Sequence, residues 1–160
     1  MDAVHLHLAL NHFPIILPVV GVLVMLGGIF LRTEAVKRTA FAIFISGGML
    51  TIPAFVTGEA SEDSIENLSG INEQDIETHE DTVKKFALSS YFLGIFAVFG
   101  LWSSLKNKSY APTTSITAVM VALVVIFLAK QTGTSGGEIR HPEIKNGQIN
   151  PNSARPPDDD

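Results

Sequence analysis

The chain has 160 residues, of which 46% are hydrophobic, and its formal net charge at pH 7 is −5. The absence of cysteine excludes a disulfide framework, a thiolate metal site, an iron–sulfur cluster and a covalently attached c-type haem. The negative charge argues against a nucleic-acid partner, because phosphate backbones are bound by an excess of basic side chains.

Four long apolar segments dominate the sequence, and the charged residues fall almost entirely between them. A helix needs roughly 17–25 mainly apolar residues to cross a hydrocarbon layer of ~30 Å. The sequence therefore predicts an all-α fold, an integral membrane four-helix bundle with spans at about 13–31, 40–56, 86–105 and 116–130. These spans would form one domain over residues 1–131, followed by a polar C-terminal tail over residues 132–160.

The connections between the predicted spans differ strongly in charge. Segments 32–39 and 106–114 are short and basic, whereas segment 57–85 is long and carries nine carboxylates between Glu59 and Asp81. Short loops rich in Lys and Arg usually stay in the cytoplasm, so we expect both termini and the acidic loop to face outward. The loop is most simply a solvated segment, and its functional interpretation is a docking surface for a basic partner such as a small cytochrome.

The third helix is expected to begin well before its apolar part. Asn72 is a suitable N-cap and is followed by carboxylates in the first turn. A helix from this point places several residues on one face at three- and four-residue spacing: Ile76, His79, Val83, Phe86 and Ser90. This spacing predicts that His79 shares a face with the start of the third span.

All five histidines fall on the predicted outer side of the membrane. His5, His7 and His12 precede or open the first span, His79 precedes the third span, and His141 follows the fourth. Imidazole binds haem iron, zinc, copper and non-haem iron. Four helices that converge at one end are able to place two imidazoles on opposite faces of a haem. The simpler interpretation is that each histidine is an amphipathic residue at headgroup level.

Two carboxylates lie at the same end as the histidines. Glu59 closes the second span, and Glu138 lies near His141. Beside a haem, either carboxylate would hydrogen-bond a ligand histidine or relay protons. A non-haem site would instead hold zinc, copper or iron with carboxylate and imidazole ligands, namely Glu59, His12, His79 and His141.

The opening of the chain resembles a known family of membrane proteins. The segment His7-Leu-Ala-Leu-Asn-His12-Phe-Pro-Ile is similar to the first motif of the DUF2231 family of predicted four-helix bacterial membrane proteins. Thr57-Gly58, a histidine before the third span, and Gly136-Gly137 followed by a histidine also fit. The resemblance covers about residues 5–145 and implies a multi-pass protein of the bacterial inner membrane. It implies one cofactor- or metal-binding set: His7, His12, His79 and His141.

The helix count and paired histidines resemble those of membrane b-type cytochromes and favour a haem b electron-transfer subunit. Such a subunit would exchange electrons between quinone or quinol and a periplasmic redox partner such as a c-type cytochrome, within a larger membrane complex. Two other interpretations stay open, a structural or assembly subunit and a non-haem metal site. The sequence has no phosphate loop, catalytic triad or metalloprotease signature, so a self-contained enzyme acting on an organic substrate is not expected.

Overall fold

The structure, a computed structural model, describes residues 3–65 and 73–140. Within these ranges the chain forms helices and no strand: α1 Ala3–Leu10, α2 His12–Phe30, α3 Glu34–Ile65, α4 Glu73–Leu105 and α5 Ala111–Arg140. The predicted all-α fold is confirmed for this part of the chain. Residues 141–160 of the predicted tail, which include His141, lie outside the described residues.

Helices α1 and α2 are separated by a single residue, Asn11, whose backbone stays helical at φ −60° and ψ −25°. The Asn11 amide donates to the His7 carbonyl at 2.9 Å, as it would within a helix. The interruption follows from Pro14, which has no N–H to donate to the Leu10 carbonyl. Because the helical path continues, His7 and Asn11, four residues apart, lie on the same face.

Four helical segments are long and apolar enough to cross a membrane: His5–Phe30, Glu34–Ala60, Gln74–Leu105 and Ala111–Glu138. Their number agrees with the four predicted spans. Helices α3, α4 and α5 have 32, 33 and 30 residues, which is more than a span requires. At ~1.5 Å per residue they extend ~45–50 Å, against a hydrocarbon layer of ~30 Å. Their polar ends are therefore long enough to project beyond an apolar layer.

The segments that we expected to be connections are largely helical. Helix α3 continues to Ile65 and α4 begins at Glu73, in agreement with the predicted helix start near residue 72. Helix α5 runs to Arg140, well into the region expected to be a polar tail. There it packs against α4 through Ser135 and Gly136. These tertiary contacts outweigh the weak helix propensity of the Thr, Ser and Gly residues that precede Arg140.

The four long helices form a closed bundle, in which each packs against the next along the chain and α5 returns to α2, while α1 packs on α3. The largest buried side chains are Phe41 and Phe44 on α3, which face Gly100 of α4 and Gly21 of α2. A Cβ at either glycine would overlap the facing ring. These two glycines therefore set the spacing of α3 from its neighbours.

The outward faces of the bundle are apolar. All four long helices carry large hydrophobic side chains that are more than half exposed, among them Leu23, Phe30, Ile52, Val56, Leu88, Ile95, Ile116 and Phe127. A soluble monomer rarely exposes so much contiguous apolar surface, whereas lipid chains solvate it without penalty. The exterior is compatible with a lipid bilayer.

The two ends of the bundle differ in how the helices are joined. At one end the chain turns from α2 to α3 and from α4 to α5 through short connections, and Arg38 on α3 donates to Ser104 Oγ on α4 at 3.0 Å. We name this the basic end, after Arg32, Lys37, Arg38, Lys106 and Lys108. At the other end, the histidine end, His7 and His79 contact neighbouring helices.

Candidate functional site

The candidate site lies at the histidine end, where α1, α3, α4 and α5 meet. His7 projects from α1 and His79 from α4, and both side chains are partly buried. His7 contacts α3 and His79 contacts α5, both at this end of the bundle. The fold therefore places two of the four histidines that the sequence predicts as ligands at the same end.

The ring of His7 is fixed against α3. Its Nδ1 lies 3.0 Å from the carbonyl oxygen of Ala54. A carbonyl oxygen only accepts, so Nδ1 carries the proton and donates it, which leaves Nε2 of the neutral ring with its lone pair. One turn further along α3, a Cβ on Gly58 would lie 3.1 Å from His7 Cε1. Only glycine at this position gives the ring its full space.

The ring of His79 is fixed against α5 in a similar way. Its Nδ1 lies 2.8 Å from Ser135 Oγ. The Ser135 hydroxyl also lies 3.1 Å from the Thr132 carbonyl, and when it donates there its oxygen accepts the Nδ1–H of His79. A Cβ on the adjacent Gly136 would lie 3.0 Å from His79 Cε1. In that tautomer the ring also presents an unprotonated Nε2.

A third side chain, Thr82, completes the contact between α4 and α5. Its hydroxyl donates to the His79 carbonyl at 2.8 Å and lies 3.1 Å from Ser135 Oγ. Thr82 follows His79 by three residues and therefore stands on the same face of α4. These contacts hold His79 in place from its own helix and from α5 together.

Both rings share the arrangement that protein metal sites use for histidine ligands. One ring nitrogen donates to a carbonyl or hydroxyl oxygen, which fixes the tautomer and the orientation of the ring. The other nitrogen keeps its lone pair, and neither Nε2 has a hydrogen-bond partner among the described residues. The pair presents two ring nitrogens from different helices at one end of the bundle, each without a hydrogen bond to the described residues.

Three buried polar atoms have no hydrogen-bond partner in the described part of the chain, of which two lie toward the histidine end and the third is Ser90 Oγ on α4. Asn11 Oδ1 and Thr132 Oγ1 are buried without a hydrogen-bond partner within the described part of the chain. Asn11 shares a helix face with His7, and Thr132 lies one turn before Ser135 on α5. Buried polar groups are nearly always paired. The unpaired Asn11 Oδ1 and Thr132 Oγ1 at the histidine end therefore call for a functional explanation.

Of the remaining predicted site residues, the structure describes His12, Glu59 and Glu138. His12 is exposed at the first residue of α2, roughly 140° around the helix from His7. Glu59 is exposed directly after Gly58, and Glu138 is partly buried near the end of α5. His141 is outside the described residues. Among residues 3–65 and 73–140, no three His, Asp or Glu side chains converge as a metal-binding group.

Sequence reasoning missed the groups that hold the two rings. Ser135, Thr82 and the Ala54 carbonyl come from helices whose pairing a single sequence does not reveal. Gly58 and Gly136 attracted notice only as parts of a motif, without a role. The helical register after His79 was the one signal that would have suggested Thr82.

Comparison of the chain with protein-family models, with curated proteins and with solved structures finds no match. The resemblance to the DUF2231 family and to membrane b-type cytochromes therefore stays a prediction.

Proposed function

We propose that the protein is a membrane electron-transfer subunit that binds haem b through His7 and His79. One observation carries this proposal: two imidazoles on different helices each use Nδ1 to contact a neighbouring helix, and neither Nε2 has a hydrogen-bond partner among the described residues. Imidazole pairs of this kind are suited to axial ligation of haem iron. The chain has no cysteine, so thiolate ligation is not available to it.

The residues of the chain perform three tasks in this proposal. Ala54 and Ser135 keep Nδ1 protonated and Nε2 able to coordinate a metal. Gly58 and Gly136 leave space for the rings between helices. The partial burial of both rings limits the access of water, and water access would tune the reduction potential of a bound haem together with its axial ligands. When bound, haem b supplies a reversible one-electron iron couple.

The charge distribution supports one orientation in the membrane. The basic end would face the cytoplasm under the positive-inside rule, and the histidine end with both termini would face outward. The carboxylates between Glu59 and Asp81 then stand on the outer side. They would attract a basic soluble redox partner such as a c-type cytochrome, while quinone or quinol exchanges electrons from the membrane. The proposed location is a bacterial inner membrane.

The test is the optical spectrum of the detergent-purified protein, oxidised and then reduced with dithionite, with pyridine haemochrome analysis. We expect sharp reduced α and Soret bands of haem b. His7→Ala and His79→Ala should each remove the low-spin spectrum. His12→Ala, at an exposed position, should retain it and is the matched control. A wild-type spectrum without haem bands from folded, haem-supplied protein contradicts the proposal.

A structural role is the second candidate, and a specific observation favours it. Each imidazole already joins two helices, His7 joining α1 to α3 and His79 joining α4 to α5. In a structural or assembly subunit, both alanine variants would lower thermal stability while no preparation binds haem or metal. Metal analysis of the same samples distinguishes this outcome from a non-haem metal site.

A further inference from the structure

A pocket lies at the basic end, remote from the histidines. It has a volume of about 230 Å³ and is formed by the end of α2, the start of α3 and the first turns of α5. Its charged lining residues are Arg32, Lys37 and Glu34. Ile29, Pro112 and Ile116 supply apolar lining, together with the hydroxyl of Ser115. The pocket thus combines an excess of basic over acidic side chains with apolar surface.

The charges around this pocket are not balanced. Lys37 is buried and forms an ion pair with Glu34, whose other carboxylate oxygen accepts a hydrogen bond from Ser104 Oγ at 2.8 Å. Arg38 donates to Ser104 Oγ and to the Ser104 carbonyl, at 3.0 and 2.9 Å. The residues that line the pocket carry two positive charges, on Arg32 and Lys37, against one negative charge on Glu34. Arg38, which is outside the lining, adds a further positive charge next to Lys37.

Arg32 holds an unusual backbone conformation at the mouth of the pocket. Its φ is 53°, in the left-handed region, and the Thr33 amide closes the end of α2 by donating to the Gly28 carbonyl at 2.9 Å. This is the position after a helix at which glycine is strongly favoured. An arginine is strained there, and strained residues cluster at functional sites. Its side chain is exposed and forms no ion pair among the described residues.

We propose that this pocket binds the phosphate-bearing headgroup of an anionic phospholipid. An anionic phospholipid has a group for each part of the lining. Its phosphate would contact the basic side chains, and its acyl chains would contact the apolar side chains. Exposed Phe30 and Leu31 lie beside Arg32 and continue the apolar surface of α2 up to the pocket. Basic pockets between membrane helices on the cytoplasmic side recognise anionic headgroups in this way. The inference does not depend on haem binding.

The test compares lipids on the full-length protein in non-ionic detergent. Binding of phosphatidylglycerol and of phosphatidylcholine is measured by native mass spectrometry and by the rise in Tm on lipid addition. We expect preferential binding of phosphatidylglycerol to the wild type. Arg32→Gly should weaken it about fivefold, the factor that corresponds to about 1 kcal/mol for one basic residue at a membrane surface.

Two controls make the result decisive. Glycine is favoured at the backbone conformation of residue 32, so Arg32→Gly should fold normally and a lost response reports the lost charge. Lys106→Gln removes an exposed cation at the same end outside the pocket and should keep the wild-type preference. Equal binding of both lipids, or an unchanged preference in Arg32→Gly, overturns the proposal. Displacement of phosphatidylglycerol by millimolar inorganic phosphate would also overturn it, in favour of a free-anion site.

Discussion

The two ends of the bundle use polar side chains in opposite ways. At the basic end, Glu34, Lys37, Arg38 and Ser104 form one connected network across α3 and α4. At the histidine end, each imidazole uses one nitrogen to bind a neighbouring helix, while Asn11 Oδ1 and Thr132 Oγ1 lack partners among the described residues. Hydrogen-bonded networks stabilise a fold. Buried polar groups without partners are instead often found at functional sites.

The same contrast appears in the glycines. At the basic end, a Cβ on Gly28 would lie 2.8 Å from the backbone nitrogen of Lys37, which cannot move without shifting the turn between α2 and α3. At the histidine end, the Cβ of a substituted Gly58 or Gly136 would meet only an imidazole ring. At the basic end, Gly28 thus packs against the backbone of α3, which cannot move locally. At the histidine end, Gly58 and Gly136 pack against side chains, which are able to rotate.

The largest expected effect therefore comes from Gly28→Ala, which should lower the free energy of unfolding by about 2–3 kcal/mol through overpacking. The neighbouring Gly27 is the control, because nothing lies within 4 Å of a Cβ built there. Gly27→Ala should leave the protein unchanged or stabilise it by about 0.5–1 kcal/mol, since alanine favours the helix. Unfolding by SDS titration in micelles, followed by circular dichroism, measures both. Similar losses in the two variants would remove the distinction between the glycines.

The ion pairs provide a second comparison, with an intermediate effect. The side chain of Lys37 is 9% exposed and that of its partner Glu34 is 47% exposed, whereas Lys84 and Glu80 are 53% and 40% exposed. Glu34→Gln leaves a buried cation without its partner. It should cost about 1–2 kcal/mol, less than the ~3–5 kcal/mol of a fully buried pair, because the Glu34 carboxylate is half exposed.

The matched change at the opposite end is Glu80→Gln, which removes one member of an exposed pair on α4. Exposed pairs of this type contribute little, because both charges are solvated before and after the change. We expect the unfolding midpoint of Glu80→Gln to equal that of the wild type under the same SDS titration. A loss in Glu80→Gln as large as that in Glu34→Gln would show that burial does not separate the two ends.

The number of membrane-length helices could be predicted because it depends on the length of apolar runs, which a sequence displays directly. The helix ends could not be predicted, because residues 132–140 have poor helix propensity and are helical through contacts with His79. The first turns of α4 were an exception, since a capping residue and early carboxylates are local signals.

The sequence predicted which residue type forms the candidate site, but only in part which histidines the fold selects and which groups hold them. Histidine is the obvious ligand in a chain without cysteine, so His7 and His79 were among the predicted residues. Their selection over exposed His12 depends on which face of each helix turns inward, and that is decided by packing across the bundle. Their partners, Ala54 and Ser135, are 47 and 56 residues away along the chain. No local pattern connects residues at that distance.

The smallest of the predicted losses of stability, and the most informative one, should come from Ser135→Ala. This change removes the acceptor of the His79 Nδ1–H and should cost about 1 kcal/mol, the value of one hydrogen bond. Histidine side-chain NMR should then show His79 as a mixture of tautomers, while His7, bonded to a backbone carbonyl, keeps its proton on Nδ1. Thr134→Ala, one residue earlier and exposed, is the control and should change neither ring. If His79 keeps a single tautomer in Ser135→Ala, the Ser135 hydroxyl does not select the tautomer. Packing against Gly136 would then hold the ring. In that case close packing at a glycine would be the main contact between helices at the histidine end, as it is at the basic end.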